Sequence, residues 1–230
     1  MKPFSIYFVF VAAAAAFSHK RRWTNHTVEC DIPQNSPCYC EGTANNETLK
    51  NIYICGDWRL GPITLPTDIT LDALVEIYDR FGGLCPGEFL ATWYNETADS
   101  YIYPKEDGFQ LTNNGSRIEG FVELPPGTLV DRFGSEYGTY TSPAAAPYMQ
   151  RALPPSNLNT PQDDPRYPYN YHIYKVNKAF TVTVGPIAAW FGQPGQGVQY
   201  KMNDRVIDLI ADRYLERVDL SLLEDSEEPN

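Results

Sequence analysis

The chain has 230 residues, a formal net charge of −11 and an isoelectric point near 4.7, which leaves room for one large domain or a domain with an appendage. So acidic a chain excludes nucleic acid as a bulk partner, because phosphate backbones select clustered basic surface. A small anion still fits, provided that a local basic pocket exists.

The first residues read as a targeting segment. Lys2 precedes an apolar run from Phe4 to Phe17 that carries five consecutive alanines and leads into Ser18. A basic start, a short apolar core and small residues predict a secretory signal peptide over residues 1–18, cleaved near Ala16 or Ser18. The run falls short of the roughly 20 apolar residues that a spanning helix needs, and no later stretch is long and apolar enough to cross a bilayer. The expected product is extracellular, soluble or loosely wall-bound. Lys20-Arg21-Arg22 follows as a dibasic processing site or a solvated charge cluster.

Four tripeptides starting at Asn25, Asn46, Asn95 and Asn114 fit the N-glycosylation pattern. All precede Asp131. Cys30, Cys38, Cys40, Cys55 and Cys85 predict a disulfide-stapled N-terminal module over residues 19–61, with pairing left open. Five is odd, so one thiol is free or pairs between chains, as in a homodimer. A zinc site at Cys38 and Cys40 lacks a second ligand pair at the right spacing.

A connecting region of helix and hairpins follows over residues 62–120. Asp68 or Thr70 caps a short helix whose inner face carries Leu71, Leu74, Val75 and Tyr78, stopped by Gly82-Gly83. Asn113-Asn114-Gly115 marks a hairpin turn. Phe121 to Leu124 reads as a strand, Pro126-Gly127 as a type II turn, and Thr128 to Val130 leads into Asp131-Arg132. After a long loop from Leu153 to Tyr171, strands resume at His172 to Val176 and at Phe180 to Val184, where the period is two. Asn203 or Asp204 caps a helix with Val206, Leu209, Ile210, Tyr214 and Val218 on one face. An acidic tail closes the chain over 219–230. Strands dominate and no βαβ alternation appears. The fold class is therefore α+β, with a mainly antiparallel or mixed sheet and short helices behind the cysteine-rich module.

Three segments carry the candidate chemistry: Asp131-Arg132-Phe133-Gly134, Gln150 to Pro155, and Trp190 to Tyr200. A guanidinium presents several donors in a rigid fork that matches phosphate oxygens, which nominates Arg132 and Arg151. Turn and salt-bridge roles compete for each arginine alone. Gly192 to Tyr200 carries three glycines in six positions, suited either to close approach of a ligand or to a plain hairpin turn. It is not the dinucleotide-binding fingerprint, since the glycine spacing differs and a strand follows. Gln193, Gln196 and Gln199 offer carboxamides, each both donor and acceptor. Trp190, Phe191 and Tyr200 would wall a flat ring or serve as core.

These blocks, with Tyr174-Lys175-Val176 between them, resemble in order the tuberculosis necrotizing toxin-like domain of secreted NAD glycohydrolases, over about Phe121 to Leu215. With its leader the chain is similar to the secreted fungal branch found on spores. The resemblance implies a catalytic domain over 121–218 that cleaves the nicotinamide–ribose bond of NAD⁺ or NADP⁺ without a cofactor. It makes Arg132, Arg151 and Gln199 the catalytic residues, with Gln193 as the fallback glutamine. Phe133, Trp190, Gln193 and Tyr200 are then the expected substrate contacts, and His172 the only local histidine. It also raises a calcium site in the acidic tail, with Asp219, Glu224 and Asp225 as candidate ligands. An ADP-ribosyl transferase or cyclase needs the same grip, and a non-enzymatic surface module is the remaining alternative. The residues themselves nominate no carboxylate beside the reacting sugar.

Overall fold

The computed structural model describes residues 39–219; the signal peptide, Asn25, Cys30, Cys38, Glu224 and Asp225 lie outside them. No helix among the described residues is long and apolar enough to cross a membrane.

The described part of the leader is a series of single helical turns at Glu47–Leu49, Ile54–Gly56 and Trp58–Leu60. Cys40 and Cys55 form a disulfide across this segment, and Cys85 is also disulfide-bonded. Helix α1 spans Ile69–Val75 from its N-cap Asp68, and α2 spans Pro86–Trp93. A two-residue hairpin of β1 (Tyr94–Asn95) and β2 (Ser100–Tyr101) follows. Asn46, Asn95 and Asn114 are exposed.

Disulfides are not the leader's only source of order. In fact Ile54, Leu60, Phe81, Phe89, Leu90, Tyr94 and Tyr101 form a buried cluster that also takes in Phe191 from the glycine-rich loop. Staple and core act together here. The cluster fastens the leader to the C-terminal half of the chain.

The main sheet is built from β3 (Gly120–Leu124), β4 (Leu129–Phe133), β5 (Tyr140–Pro143), β6 (Tyr171–Val176), β7 (Phe180–Pro186), β8 (Val198–Lys201) and β9 (Leu215–Val218). Its seven strands run in the order β3-β7-β8-β5-β4-β6-β9, and every pairing is antiparallel. This is the expected α+β class. One side chain set, including Val130, Tyr174, Val176 and Val182, packs under helix α4 (Val206–Ala211). The alternate set, including Phe133, Tyr171 and Ile173, packs with Leu71, Leu74 and Val75 of α1 and with Tyr148 of the one-turn helix α3 (Tyr148–Arg151). Alternation along each strand sends successive residues to opposite faces, so both faces of the sheet are covered.

The C-terminal helix is shorter than its apolar spacing implied. Arg205, not Asn203 or Asp204, is the N-cap, and it makes no side-chain cap bond. Arg213 then takes φ 60, a left-handed conformation that ends right-handed helix. Tyr214 and Val218 therefore fall beyond the helix, and Leu215–Val218 pairs with β6 instead.

Candidate active site

A cavity of about 540 Å³ opens where β4, β5 and β8 meet the turn before β3; Tyr103, Asp107, Arg132, Tyr137, Tyr140 and Gln199 are among its walls. The volume suits a ligand of cofactor size. Tyr103 and Tyr137 are 56 % and 70 % exposed, so two aromatic faces stand open at the rim. Tyr103 is itself braced edge-on against Phe191.

Arg132 is half-buried near the end of β4, and its guanidinium folds under the β4–β5 connection. Its Nε donates to the Ser135 carbonyl at 2.7 Å and one Nη to the Tyr140 carbonyl at 2.7 Å. A Cβ at Gly138 would lie 2.1 Å from the other Nη, so a glycine is what lets the fork seat here. Burial holds the guanidinium below its ordinary pKa. No described carboxylate lies within ion-pair distance of it. A partly desolvated cation lacking a counter-ion is costly, and the cost is offset when a ligand anion arrives.

Arg151 has the opposite setting. Its side chain is 3 % exposed, and its two Nη atoms grip the Asp131 carboxylate at 2.6 and 2.8 Å. Nε and one Nη also donate to the Ala146 carbonyl. Asp131 takes further bonds from the Ala145 amide and the Tyr171 hydroxyl. The guanidinium sits 5.0 Å over the Phe133 ring. Arg151 borders the cavity, yet its charge is neutralised inside the fold.

Gln199 on β8 faces the cavity, with its Nε2 donating to the Asp107 carbonyl at 2.9 Å. No described donor reaches its Oε1. The Asp107 carboxylate accepts from Tyr140 Oη at 2.9 Å and from Arg117 and Lys201 at 2.6 Å each. The Lys201 bond leads in holding that carboxyl below the usual range. Burial, then the bond to Asp107, pushes the Tyr140 hydroxyl up to about 12.

Three expected contacts lie elsewhere. Gln193 is buried and donates to the carbonyls of Asp79 and Phe191. Trp190 donates to the Ile102 carbonyl and packs 5.1 Å from Trp93. Tyr200 follows Gln199 along β8, and the period of two sends it to the opposite face, against the α4 cluster. The glycine-rich loop serves packing: Gly192 and Gly82 approach so closely that a Cβ on Gly192 would meet Gly82 Cα at 2.8 Å. Phe133 does border the cavity, but 1 % exposure makes it chiefly core.

His172 lies beside Arg132 in the β4–β6 register. It is buried, its Nε2 meets Asn170 Oδ1 at 3.0 Å, and its Nδ1 has no hydrogen-bond partner. Burial lowers its pKa to about 4. It is therefore neutral near pH 7. Asp107, Tyr103, Tyr137 and Tyr140 were not foreseen. Asp107-Gly108 carries a turn signature, but nothing local reports what the turn points at.

Unpaired guanidinium, amide oxygen and open aromatic walls around one cavity define a small-molecule-binding α+β domain prepared for an anionic, ring-bearing ligand. The chain belongs to the tuberculosis necrotizing toxin family. A family model described as Tuberculosis necrotizing toxin matches residues 123–218. The chain is 48 % identical, over 198 residues, to the conidial surface nicotinamide adenine dinucleotide glycohydrolase nadA of Aspergillus fumigatus, covering 85 % of this chain and 83 % of that protein. Among solved structures it is similar to the tuberculosis necrotizing toxin complexed with its immunity factor, at 16 % identity and TM-score 0.39, covering 85 % of this chain and 98 % of that one. Tse6 in complex with Tsi6 also aligns, at 16 % identity and TM-score 0.32, covering 57 % and 89 %. Likenesses this distant carry no part of the assignment, which rests on the family model and the Aspergillus fumigatus relative.

Proposed function

We infer that the chain is an NAD⁺/NADP⁺ glycohydrolase that releases nicotinamide and leaves ADP-ribose or its phosphate. The observation that carries this reading is Arg132: a partly buried cation with no carboxylate partner, in a cavity large enough for the substrate. The chain's 48 % identity to a protein named as an NAD glycohydrolase agrees. In this reading Arg132 seats the pyrophosphate, and Tyr103 and Tyr137 flank a flat ring. Gln199 Oε1 faces the ribose.

The chemistry asks little proton traffic of the protein. Nicotinamide leaves as a neutral molecule, the C–N bonding pair neutralising its cationic ring, so no acid need protonate it. Water then bonds to the ribose carbon and gives up one proton to solvent. The transition state is oxocarbenium-like, as in glycoside hydrolysis, and a carbonyl oxygen aimed at the developing cation stabilises it more than the ground state. Arg151 contributes indirectly, by fixing Asp131 and the start of the β5–α3 corner. The reading extends to secretion through residues 1–18, glycans at Asn25, Asn46, Asn95 and Asn114, and residence at the cell or spore surface, with a homodimer as the assembled form. In the acidic tail, Asp219, Glu224 and Asp225 would hold calcium as a stabilising ion outside the bond cleavage. The experiment is to incubate the secreted protein with NAD⁺ and resolve the products by chromatography. Equimolar nicotinamide and ADP-ribose support hydrolysis; cyclic product or ADP-ribosylated protein would make it a cyclase or transferase, and intact NAD⁺ would defeat the enzyme reading.

A further inference from the structure

Glu106, Asp107 and Gly108 take φ values of 54, 58 and 76 in succession. Left-handed residues other than glycine are disfavoured and usually occur singly. A run of them persists only where surrounding contacts enforce it, and such runs concentrate at functional sites. Here the enforcing contacts converge on one side chain. The Asp107 carboxylate holds Tyr140 from β5, Lys201 from β8 and Arg117 from the hairpin before β3. The same residue's main-chain carbonyl points at β8 and accepts from Gln199 Nε2.

That carbonyl decides which end of the Gln199 amide faces the cavity. A flipped amide would set Oε1 against a carbonyl oxygen, two acceptors with no proton between them. The observed orientation keeps Oε1 clear of protein donors. Lys201 lies two residues along β8 from Gln199, so both project to one face, and the Asp107 carboxylate ties that face to the turn. The carboxylate also offsets Lys201, which pairs with no other described carboxylate, and shares Arg117 with Glu119 at 3.1 Å.

We propose that Asp107 is a positioning residue for the reaction: its left-handed turn and its three-donor carboxylate clamp aim the Gln199 amide at the ribose. This deepens the glycohydrolase reading and rests on it. Asp107 makes no contact with substrate in this account and acts through Gln199.

The test is steady-state kinetics with NAD⁺ for Asp107→Ala, Asp107→Asn, Gln199→Ala and the double variant Asp107→Ala/Gln199→Ala. We expect Asp107→Ala to lower kcat by roughly 10- to 100-fold while KM stays within about threefold, the mark of an effect on the chemical step. Asp107→Asn tolerates the left-handed conformation and keeps an acceptor for Tyr140, so it should recover part of that loss. In the Gln199→Ala background, Asp107→Ala should cost less than about threefold more, since residues acting as a unit are not additive. Where the double variant is too slow to measure, ¹⁵N-glutamine labelling reads the same coupling. The side-chain amide signal that disappears in Gln199→Ala should shift in Asp107→Asn. Additive losses, wild-type kcat in Asp107→Ala, or an unmoved Gln199 amide would overturn the proposal while sparing the wider reading. Wild-type turnover by Gln199→Ala would instead remove the catalytic glutamine on which both depend.

Discussion

The surroundings of Arg132 and of Arg151 differ more than their sequence contexts do. Both arginines border the same cavity, and both occur where regular structure gives way to loop. Arg151 is locked to Asp131 by two short bonds and buried, whereas Arg132 is held only by neutral carbonyls. A carbonyl orients a guanidinium without cancelling its charge; a carboxylate does both. Under the proposed function, Arg151 would build the wall of the site and Arg132 would receive the anion. Residue type alone does not separate these roles.

The largest effect should come from breaking the neutralised pair. Arg151→Ala leaves Asp131 buried at 0 % exposure without its cation, and severing such a pair costs about 3–5 kcal/mol. Chemical denaturation should show that loss, and activity should fall only with the folded fraction. A volume-matched apolar pair at both positions should recover much of the stability. If Arg151→Ala instead stays fully stable and loses NAD⁺ turnover, the roles of the two arginines are reversed.

Next comes Arg132→Lys, which keeps the charge and loses the fork. We expect kcat/KM to fall by a factor on the order of ten to a thousand, or about 1.4–4 kcal/mol, with a melting temperature close to wild type. Wild-type kinetics would remove Arg132 from the site.

His172 sharpens the comparison through pH. Its folded pKa, near 4, lies below the ordinary 6.5, so the unfolded chain binds its proton first as pH falls. Its contribution to stability is complete above about pH 6.5 and is lost progressively down to about pH 4. Protonation would place a second cation beside Arg132, with Glu136 the nearby carboxylate at 3.7 Å. The expected loss is about 3 kcal/mol, read from denaturation midpoints across that range. His172→Gln should flatten the curve; an identical slope in that variant would assign the pH dependence to other groups.

Gln193→Ala should have the smallest effect. Removing a buried amide that ties the glycine-rich loop to Asp79 costs about 1–2 kcal/mol and should leave kcat nearly unchanged. A large fall in kcat at full stability would return Gln193 to the chemistry.

Part of the fold was legible in strand-forming segments, one of them, Phe180 to Val184, with a period of two. Phe121 to Leu124, His172 to Val176 and Phe180 to Val184 each form strands within the expected sheet. The C-terminal helix was overrun because Val206, Leu209, Ile210, Tyr214 and Val218 fit a helical face, while the break at Arg213 depends on a backbone angle that no apolar pattern encodes. At the site, Arg132 and Gln199 were nominated and do border one cavity. Trp190 and Tyr200 are aromatic and Gln193 carries a carboxamide, yet none of the three borders the cavity, since a Gly-rich stretch looks the same whether it approaches a ligand or another backbone. Asp107 is 92 positions from Gln199. Only the tertiary fold brings them together, so no local signal identified it.

The most direct measurement is calorimetric titration of ADP-ribose, a pyrophosphate-bearing product, into the wild-type protein and into Arg132→Met, at equal pH and ionic strength. The variant should fold normally and bind at least about tenfold more weakly, a loss of roughly 1.4 kcal/mol or more. Equal affinity in a folded Arg132→Met protein would contradict it, because the unpaired guanidinium would then have no anion to meet.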